Sequence, residues 1–256
     1  MMRVVKIGGR AQGDLRFAVV LAKAWNDSPK ALCVVHGGGD EISAMQRELG
    51  REATFAGGRR VTARSDLELL RMVLSGVVNK RLVNSLVAAG IPAVGLSGED
   101  DALIGAELID ATLLGFAGRP TAINVHLLRT LLDAGYMPVI SPVGYDARSG
   151  KGGALNVNGD DAAAAIASSL EAQELLLIAD VEGVRDAHGE LVQSLSIDSA
   201  RELIATGVAA GGMAAKLESA HAALAAGVDR VRICDLAGLL DSERGTFITQ
   251  SQGVVS

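Results

Sequence analysis

The chain has 256 residues, enough for one large α/β domain or for two lobes sharing a sheet. Hydrophobic residues make up 49% and charged residues 21%, a balance that supports a sizeable core and excludes a disordered or fibrous chain. A net charge of −6, with no basic run longer than a pair such as Lys80-Arg81, argues against nucleic-acid binding. No apolar stretch reaches the roughly 18 residues needed to cross a bilayer, so a soluble, cytoplasmic protein is expected.

Met2 to Ile7 reads as a buried strand ending in Gly8-Gly9, and Leu15 to Trp25 has apolar residues at helical spacing. Leu32 to Val35 is a second strand, closed by His36-Gly37-Gly38-Gly39, and a helix follows through Ile42, Met45 and Leu49. Strand, glycine turn, helix, repeated twice, is the signature of a parallel α/β sheet. Ser65 to Ala89 is a long helix with Leu67, Leu70, Leu74, Val77, Leu82 and Leu86 along one stripe. Ala93 to Leu96 is a short strand, and Leu103 to Arg119 reads as a hairpin or a flap. A helix over Val125 to Ala134 and a strand over Met137 to Ser141 lead to a turn-rich loop, Gly144 to Gly153. Asp160 to Leu170 is an Ala-rich helix, Glu174 to Ala179 a strand, and Asp198 to Thr206 and Met213 to Ala226 are helices. Arg230 to Cys234 is a late strand, and Gly245 to Thr249 supplies an edge strand. Cys33 and Cys234 each sit in an apolar run and are expected as buried small hydrophobes.

Three glycine turns carry the functional signal: Lys6-Ile-Gly-Gly9, His36-Gly-Gly-Gly39 and Gly211-Gly212, each read as following a strand. The first two fall at the carboxyl ends of parallel strands, where α/β sheets bind ligands. Backbone N–H groups without side chains, at a helix N-terminus, make an anion site. Lys6 and Lys216 each sit beside such a turn, within reach of a phosphate. Asn156-Val-Asn158-Gly-Asp160 leads into a helix; one residue there serves as N-cap, and Asp160 can hold two lysines. In Gly57-Gly-Arg59-Arg60, one guanidinium can fork onto a substrate carboxylate. Gly150-Lys151-Gly152 is not a P-loop, since Gly144 is one residue too far away and no Ser/Thr follows the Lys. The four histidines are scattered, so no zinc site is expected.

Lys6-Ile-Gly-Gly9, Val35-His-Gly-Gly-Gly39, Gly58-Arg-Arg-Val-Thr62, Val78-Asn-Lys-Arg-Leu82, Asn156-Val-Asn-Gly-Asp160, Asp180-Val-Glu-Gly-Val184 and Gly212-Met-Ala-Ala-Lys216 occur in this order. Together they resemble the N-acetylglutamate kinases of the amino-acid kinase family, from residue 2 to about residue 250.

The resemblance implies a three-layer αβα sandwich with a mainly parallel central sheet. One amino-acid kinase domain would span 1–256, with an acyl amino acid lobe and dimer contact in 1–172 and an ATP lobe in 173–256. The implied reaction moves the γ-phosphoryl of ATP to the side-chain carboxylate of N-acetyl-L-glutamate, in arginine biosynthesis. By position, Lys6 and Lys216 would neutralise the transferring phosphoryl and Asp160 would orient both amines. Gly8, Gly9, Gly37 and Gly38 would donate N–H bonds to it. Gly38, Gly39, Arg60 and Asn156 would hold the acyl amino acid. Asp180, Val181, Glu182, Gly183, Val184 and Arg185, with Val208, Ala209 and Ala210, would line the nucleotide pocket. Mg²⁺ would ride on the ATP phosphates, with no metal site of the protein's own.

The sequence departs from the family pattern at Arg10 and at Glu99-Asp100-Asp101. It also begins at its first strand, where arginine-inhibited hexameric members carry an extra helix. The resemblance therefore implies a homodimer joined through the 65–89 helix, without that feedback route. A kinase for a carrier-linked aminoadipate or glutamate, and a non-catalytic sensor of the same fold, are the alternatives. Lys6, Asp160 and Lys216, all present, argue against the sensor.

Overall fold

The structure, a computed structural model, describes residues 1–14, 16–149 and 152–250, apart from the side chain of Arg10. Leu15, Gly150 and Lys151, which figure in the sequence reading, lie outside the described residues, as does any contact of the Arg10 side chain.

The strands are β1 (Arg3–Ile7), β2 (Leu32–His36), β3 (Phe55–Ala56), β4 (Arg59–Arg60), β5 (Ala93–Ser97), β6 (Ile104–Leu108) and β7 (Ala117–Ile123). They continue as β8 (Met137–Ser141), β9 (Val143–Asp146), β10 (Ala154–Val157), β11 (Glu174–Ile178), β12 (Ser194–Ser196), β13 (Arg230–Cys234) and β14 (Thr246–Thr249). The helices are α1 (Phe17–Asp27), α2 (Gly39–Glu48), α3 (Arg64–Leu70), α4 (Asn79–Ala88), α5 (Val125–Asp133), α6 (Gly159–Ser169), α7 (Ile197–Ala205) and α8 (Gly211–Ala225).

Eight strands form the central sheet in the order β12-β14-β13-β11-β1-β2-β8-β5. The run from β13 to β5 is parallel; β14 is antiparallel to β13 and parallel to β12. The fold is an αβα sandwich. On one face Val4, Cys33, Val35, Leu175 and Leu177 pack under α5, α6 and α8. On the other, Val5, Ile7, Val34, Val139 and Leu176 pack under α1 and α4. Successive strand residues point to opposite faces. Lys6 therefore shares the face of Val4, toward α6, and His36 shares the face of Val34, toward α4.

Strands β6, β7, β9 and β10 close into a separate small barrel. Of the hairpin or flap expected over 103–119, the structure shows the antiparallel β6–β7 pair, which runs on to Ile123, and part of the expected 144–153 loop is β9 paired with β10. The 55–60 segment is a hairpin, with Gly57 and Gly58 at φ +55° and +74°, the positive values that a two-residue turn demands.

Three expectations need correcting. Residues 71–78, between α3 and α4, form a π-helix. Each hydrogen bond there spans five residues rather than four, which shifts the inward face. Val73 and Val78 are buried, and Val77, placed in the inward stripe by a regular period, is 53% exposed. Strand β14 is not an edge strand: β12, too short to register in the sequence pattern, covers it. The Gly211-Gly212 turn follows α7 and a short loop, not a strand. Both cysteines are buried and free. No described helix is long and apolar enough to cross a membrane.

Candidate active site

Asp160 sits in the first turn of α6, whose N-cap is Asn158: the Asn158 side chain accepts from the backbone N–H of Asp160 at 2.7 Å and of Asp161 at 3.3 Å. The cap and the acidic first turn aim the Asp160 carboxylate back toward the end of β1. There Lys6 Nζ lies 3.0 Å from Asp160 Oδ1. Lys216, in the second turn of α8, lies 3.2 Å from the same oxygen and 3.3 Å from Oδ2. Lys6 is 7% exposed and Asp160 4%. A Cβ at Gly8 would stand 2.8 Å from Lys6 Nζ, and one at Gly159 3.1 Å from Lys6 Cε, so both glycines keep space open around the amine.

The electrostatics of this buried group follow from two cations sharing one anion. Burial alone would raise the Asp160 carboxyl; the adjacent Lys6 and Lys216 outweigh it and hold it below its ordinary value. Lys216 is lowered to about 8, first by burial and then by the Lys6 charge, with Asp160 opposing. The triad carries an excess positive charge and is poised for an anion.

Lys6 and Asp160 line a cavity of about 200 Å³ that also includes Gly38, Gly39, Arg60 and Asn156. Arg60 on β4 donates to Gln46 Oε1 at 2.7 Å, Ser43 Oγ at 2.8 Å and the Gly39 carbonyl at 2.9 Å, and stacks 4.9 Å from the Phe55 ring centroid. Among the described residues it has no carboxylate within ion-pair distance. It is a fixed cation beside a cavity, suited to a carboxylate guest. Asn156 donates to Thr62 Oγ1 at 2.8 Å, tying the barrel to the segment after the hairpin.

These features coincide with relationships to known proteins. The model of the amino acid kinase family matches residues 1–235. Acetylglutamate kinase of Paracoccus denitrificans is 47% identical over 238 residues, covering 91% of this chain and 76% of the relative. The enzyme of the same name from Caulobacter vibrioides is 41% identical over 256 residues, covering 91% and 82%. A Streptococcus mutans protein of known structure, 34% identical, superposes with a TM-score of 0.88 over 97% of this chain and 98% of its own. The chain belongs to the amino acid kinase family, among its acetylglutamate kinases.

In this amino acid kinase the glycine turn after β2 is held by groups that sequence reasoning passed over. His36 Nδ1 lies 2.7 Å from the Gly37 carbonyl, which can only accept, so Nδ1 carries the proton. Nε2 then accepts from the Asn79 amide at 3.1 Å, and the same amide donates to the Val139 carbonyl at 2.9 Å. Burial lowers His36 to about 4, so the ring is neutral. Gly95 makes room for Asn79: a Cβ there would fall 2.0 Å from its Oδ1. Asn79 belongs to the Val78-Asn-Lys-Arg-Leu82 motif, but no local pattern reveals its role. The signal was an Asn and a Lys interrupting an apolar helix stripe. Gln12, from the turn after β1, donates to the Ile7 carbonyl at 3.3 Å, and Gly37 N donates to the same carbonyl at 2.8 Å. The first two glycine turns are thus stitched together.

The family's expected nucleotide segment is divided. Val181 and Val208 are exposed apolar residues, and Asp180 and Ala210 are exposed as well. Asp180 Oδ1 accepts from Ala11 N at 3.2 Å and so braces the Gly8-Gly9 turn. Glu182 pairs with Arg244 at 3.1 Å. Gly183 and Val184 are buried, with Val184 N donating to Thr246 Oγ1 at 2.8 Å, and Ala209 is buried too. Arg185 turns to the Gly189 carbonyl at 2.6 Å. Among the described residues no side chain caps the start of α2 or α8, which leaves N–H groups of the first turn available to an anion.

Proposed function

We propose that the protein transfers the γ-phosphoryl of ATP to the side-chain carboxylate of N-acetyl-L-glutamate, giving N-acetyl-L-glutamyl 5-phosphate and ADP in arginine biosynthesis. The observation that carries this reading is the pair of buried amines, Lys6 and Lys216, on one Asp160 carboxylate, beside a cavity lined by Arg60, which has no carboxylate partner among the described residues. A carboxylate is ionised at neutral pH and is itself the nucleophile, so no general base is required. What the reaction needs is in-line positioning and neutralisation of the charge on the moving phosphoryl. Lys6 and Lys216 supply the cations and Asp160 fixes their direction. The backbone N–H groups of Gly8, Gly9, Gly37 and Gly38 supply further donors.

In the same reading Arg60 grips the α-carboxylate, and Gly38, Gly39 and Asn156 hold the rest of the acyl amino acid. Residues 1–172 form that lobe. Residues 173–256 bind ATP through Asp180, Val181 and Glu182 and through Val208 to Ala210. Gly183 and Val184 support that wall from behind, and the exposed Arg185 flanks it. Both Asp160 oxygens are occupied by lysines, a donor set that suits Mg²⁺ carried by the nucleotide phosphates. There Mg²⁺ would offset phosphate charge. The exposed Met72, Val77 and Val87 along the long helix support a homodimer through that face. A biosynthetic role of this kind fits a protein of the cytoplasm.

A coupled assay with N-acetyl-L-glutamate, L-glutamate, aminoadipate and L-aspartate tests the substrate. Acetylglutamate should give the highest kcat/KM. A preference for aminoadipate, or no phosphorylation of any acceptor, overturns the reading.

A further inference from the structure

Beside the catalytic triad lies a second carboxylate that the reaction does not use. Asp161, next to Asp160 in the first turn of α6, faces a different set of partners. Its Oδ2 receives Arg59 Nη1 at 2.5 Å, and its Oδ1 receives Ser219 Oγ at 2.7 Å. Arg59 belongs to β4 and neighbours Arg60. Ser219 belongs to α8 and lies three residues after Lys216, on the same side of that helix. Two adjacent aspartates therefore clasp α8 at two points: Asp160 through Lys216 and Asp161 through Ser219. Only the second clasp continues to the β3–β4 hairpin. The hairpin tip also comes near the start of the same helix: a Cβ at Gly58 would stand 4.0 Å from the carbonyl of Gly211, the first residue of α8.

We propose that Arg59, Asp161 and Ser219 form a strap that locks the Arg60-bearing hairpin to α8, so that occupancy of the acyl amino acid site and of the nucleotide site stabilise each other. The inference rests on the kinase reading above. Arg59 and Asp161 are only partly exposed, 29% and 18% at the side chain, so water and salt weaken their pairing less than that of a surface pair. Pairing with Asp161 also takes Arg59 out of competition with Arg60 for the substrate carboxylate. Because the strap joins the hairpin to α8, a guest that orders the hairpin also orders α8 and the Lys216 it carries, and a nucleotide that orders the start of α8 also orders the hairpin. Linkage makes the two effects equal. Arg59 acts here as a positioning residue, working through Asp161 from the wall of the same cavity.

Titration calorimetry of N-acetyl-L-glutamate into the full chain, with and without a non-hydrolysable ATP analogue and Mg²⁺, reads the coupling directly. In the wild type the analogue should tighten acetylglutamate binding by about fivefold or more, the lower bound of usual site-to-site coupling. In Arg59→Leu, and separately in Asp161→Asn, the ratio should fall close to one, and Arg59→Lys should restore part of it. In steady-state kinetics, Arg59→Leu should raise KM for the acyl amino acid by more than it lowers kcat. A wild-type ratio of one, or an Arg59→Leu ratio equal to wild type, overturns the strap. So does a kcat loss of about 100-fold with the ratio intact, which would make Arg59 a catalytic contact. Failure of the wild type to bind acetylglutamate in either arm refutes the substrate assignment itself.

Discussion

The Lys6 amine stands 3.0 Å and the Lys216 amine 3.2 Å from the same oxygen of Asp160, although one comes from the first strand and the other from the last long helix. Two buried ammonium groups on one carboxylate are costly without a second anion. The arrangement stores a charge imbalance that a phosphoryl group relieves.

Lys216→Met should therefore stabilise the ligand-free protein while disabling it. The folded value of Lys216, about 8, lies below the 10.5 of the free side chain. Between those values the unfolded chain binds more protons than the folded one, so stability rises with pH across that window. Thermal melts from pH 7.5 to 10.5 should show that rise in the wild type and lose it in Lys216→Met, whose Tm at pH 7.5 should be a few degrees higher. A lower Tm in the variant, with the pH slope retained, would contradict the charge imbalance. The gain should vanish in saturating ATP, which stabilises the wild type more.

Arg60→Ala should chiefly raise KM for the acyl amino acid, by about 10- to 100-fold, because the guanidinium grips an end that does not react. Gln46→Ala should have the same sign and a smaller size, since Gln46 orients Arg60 at 2.7 Å without facing the guest's charge. Initial-rate kinetics in both substrates decide this; a rise confined to KM for ATP would reverse the lobe assignment.

His36 makes acid destabilising. Its folded value, about 4, is depressed below 6.5 by burial, so the unfolded chain takes up a proton first as pH falls. Stability is full above pH 6.5 and is lost between 6.5 and 4, by about 3 kcal/mol at the lower end. Urea titrations at pH 7 and pH 4.5 should show this loss in the wild type and a smaller one in His36→Gln, which cannot take the charge. An equal loss in both would show that His36 is not the group responsible.

Much of the site was legible in the sequence because its parts are local. A lysine two residues after Val4 on a buried strand must share that residue's face, and glycines at strand ends mark close backbone approach. A cluster of Asn and Asp ahead of an Ala-rich helix likewise marks a helix start with Asp160 in its first turn, while the structure identifies Asn158 as the cap. What escaped the sequence depends on geometry without a local period. The π-helix changes the count per turn, so Val77, inward on a regular period, lies outward. Strand β12, three residues long, has no pattern to read, so its cover over β14 leaves no local trace. Asn79 reaches His36 and the Val139 carbonyl only after α4 docks on the sheet. Gly183 and Val184 follow a strand end like the other glycine turns, but Thr246, far along the chain, covers them.

The most direct test of the two-amine centre is the single-turnover rate of acyl phosphate formation at saturating ATP and acetylglutamate, trapped with hydroxylamine, in Lys6→Ala and Lys216→Ala. Each change should slow the chemical step by about 100-fold or more, near 3 kcal/mol of lost charge stabilisation. A wild-type rate in either variant, with both substrates bound, would contradict the account.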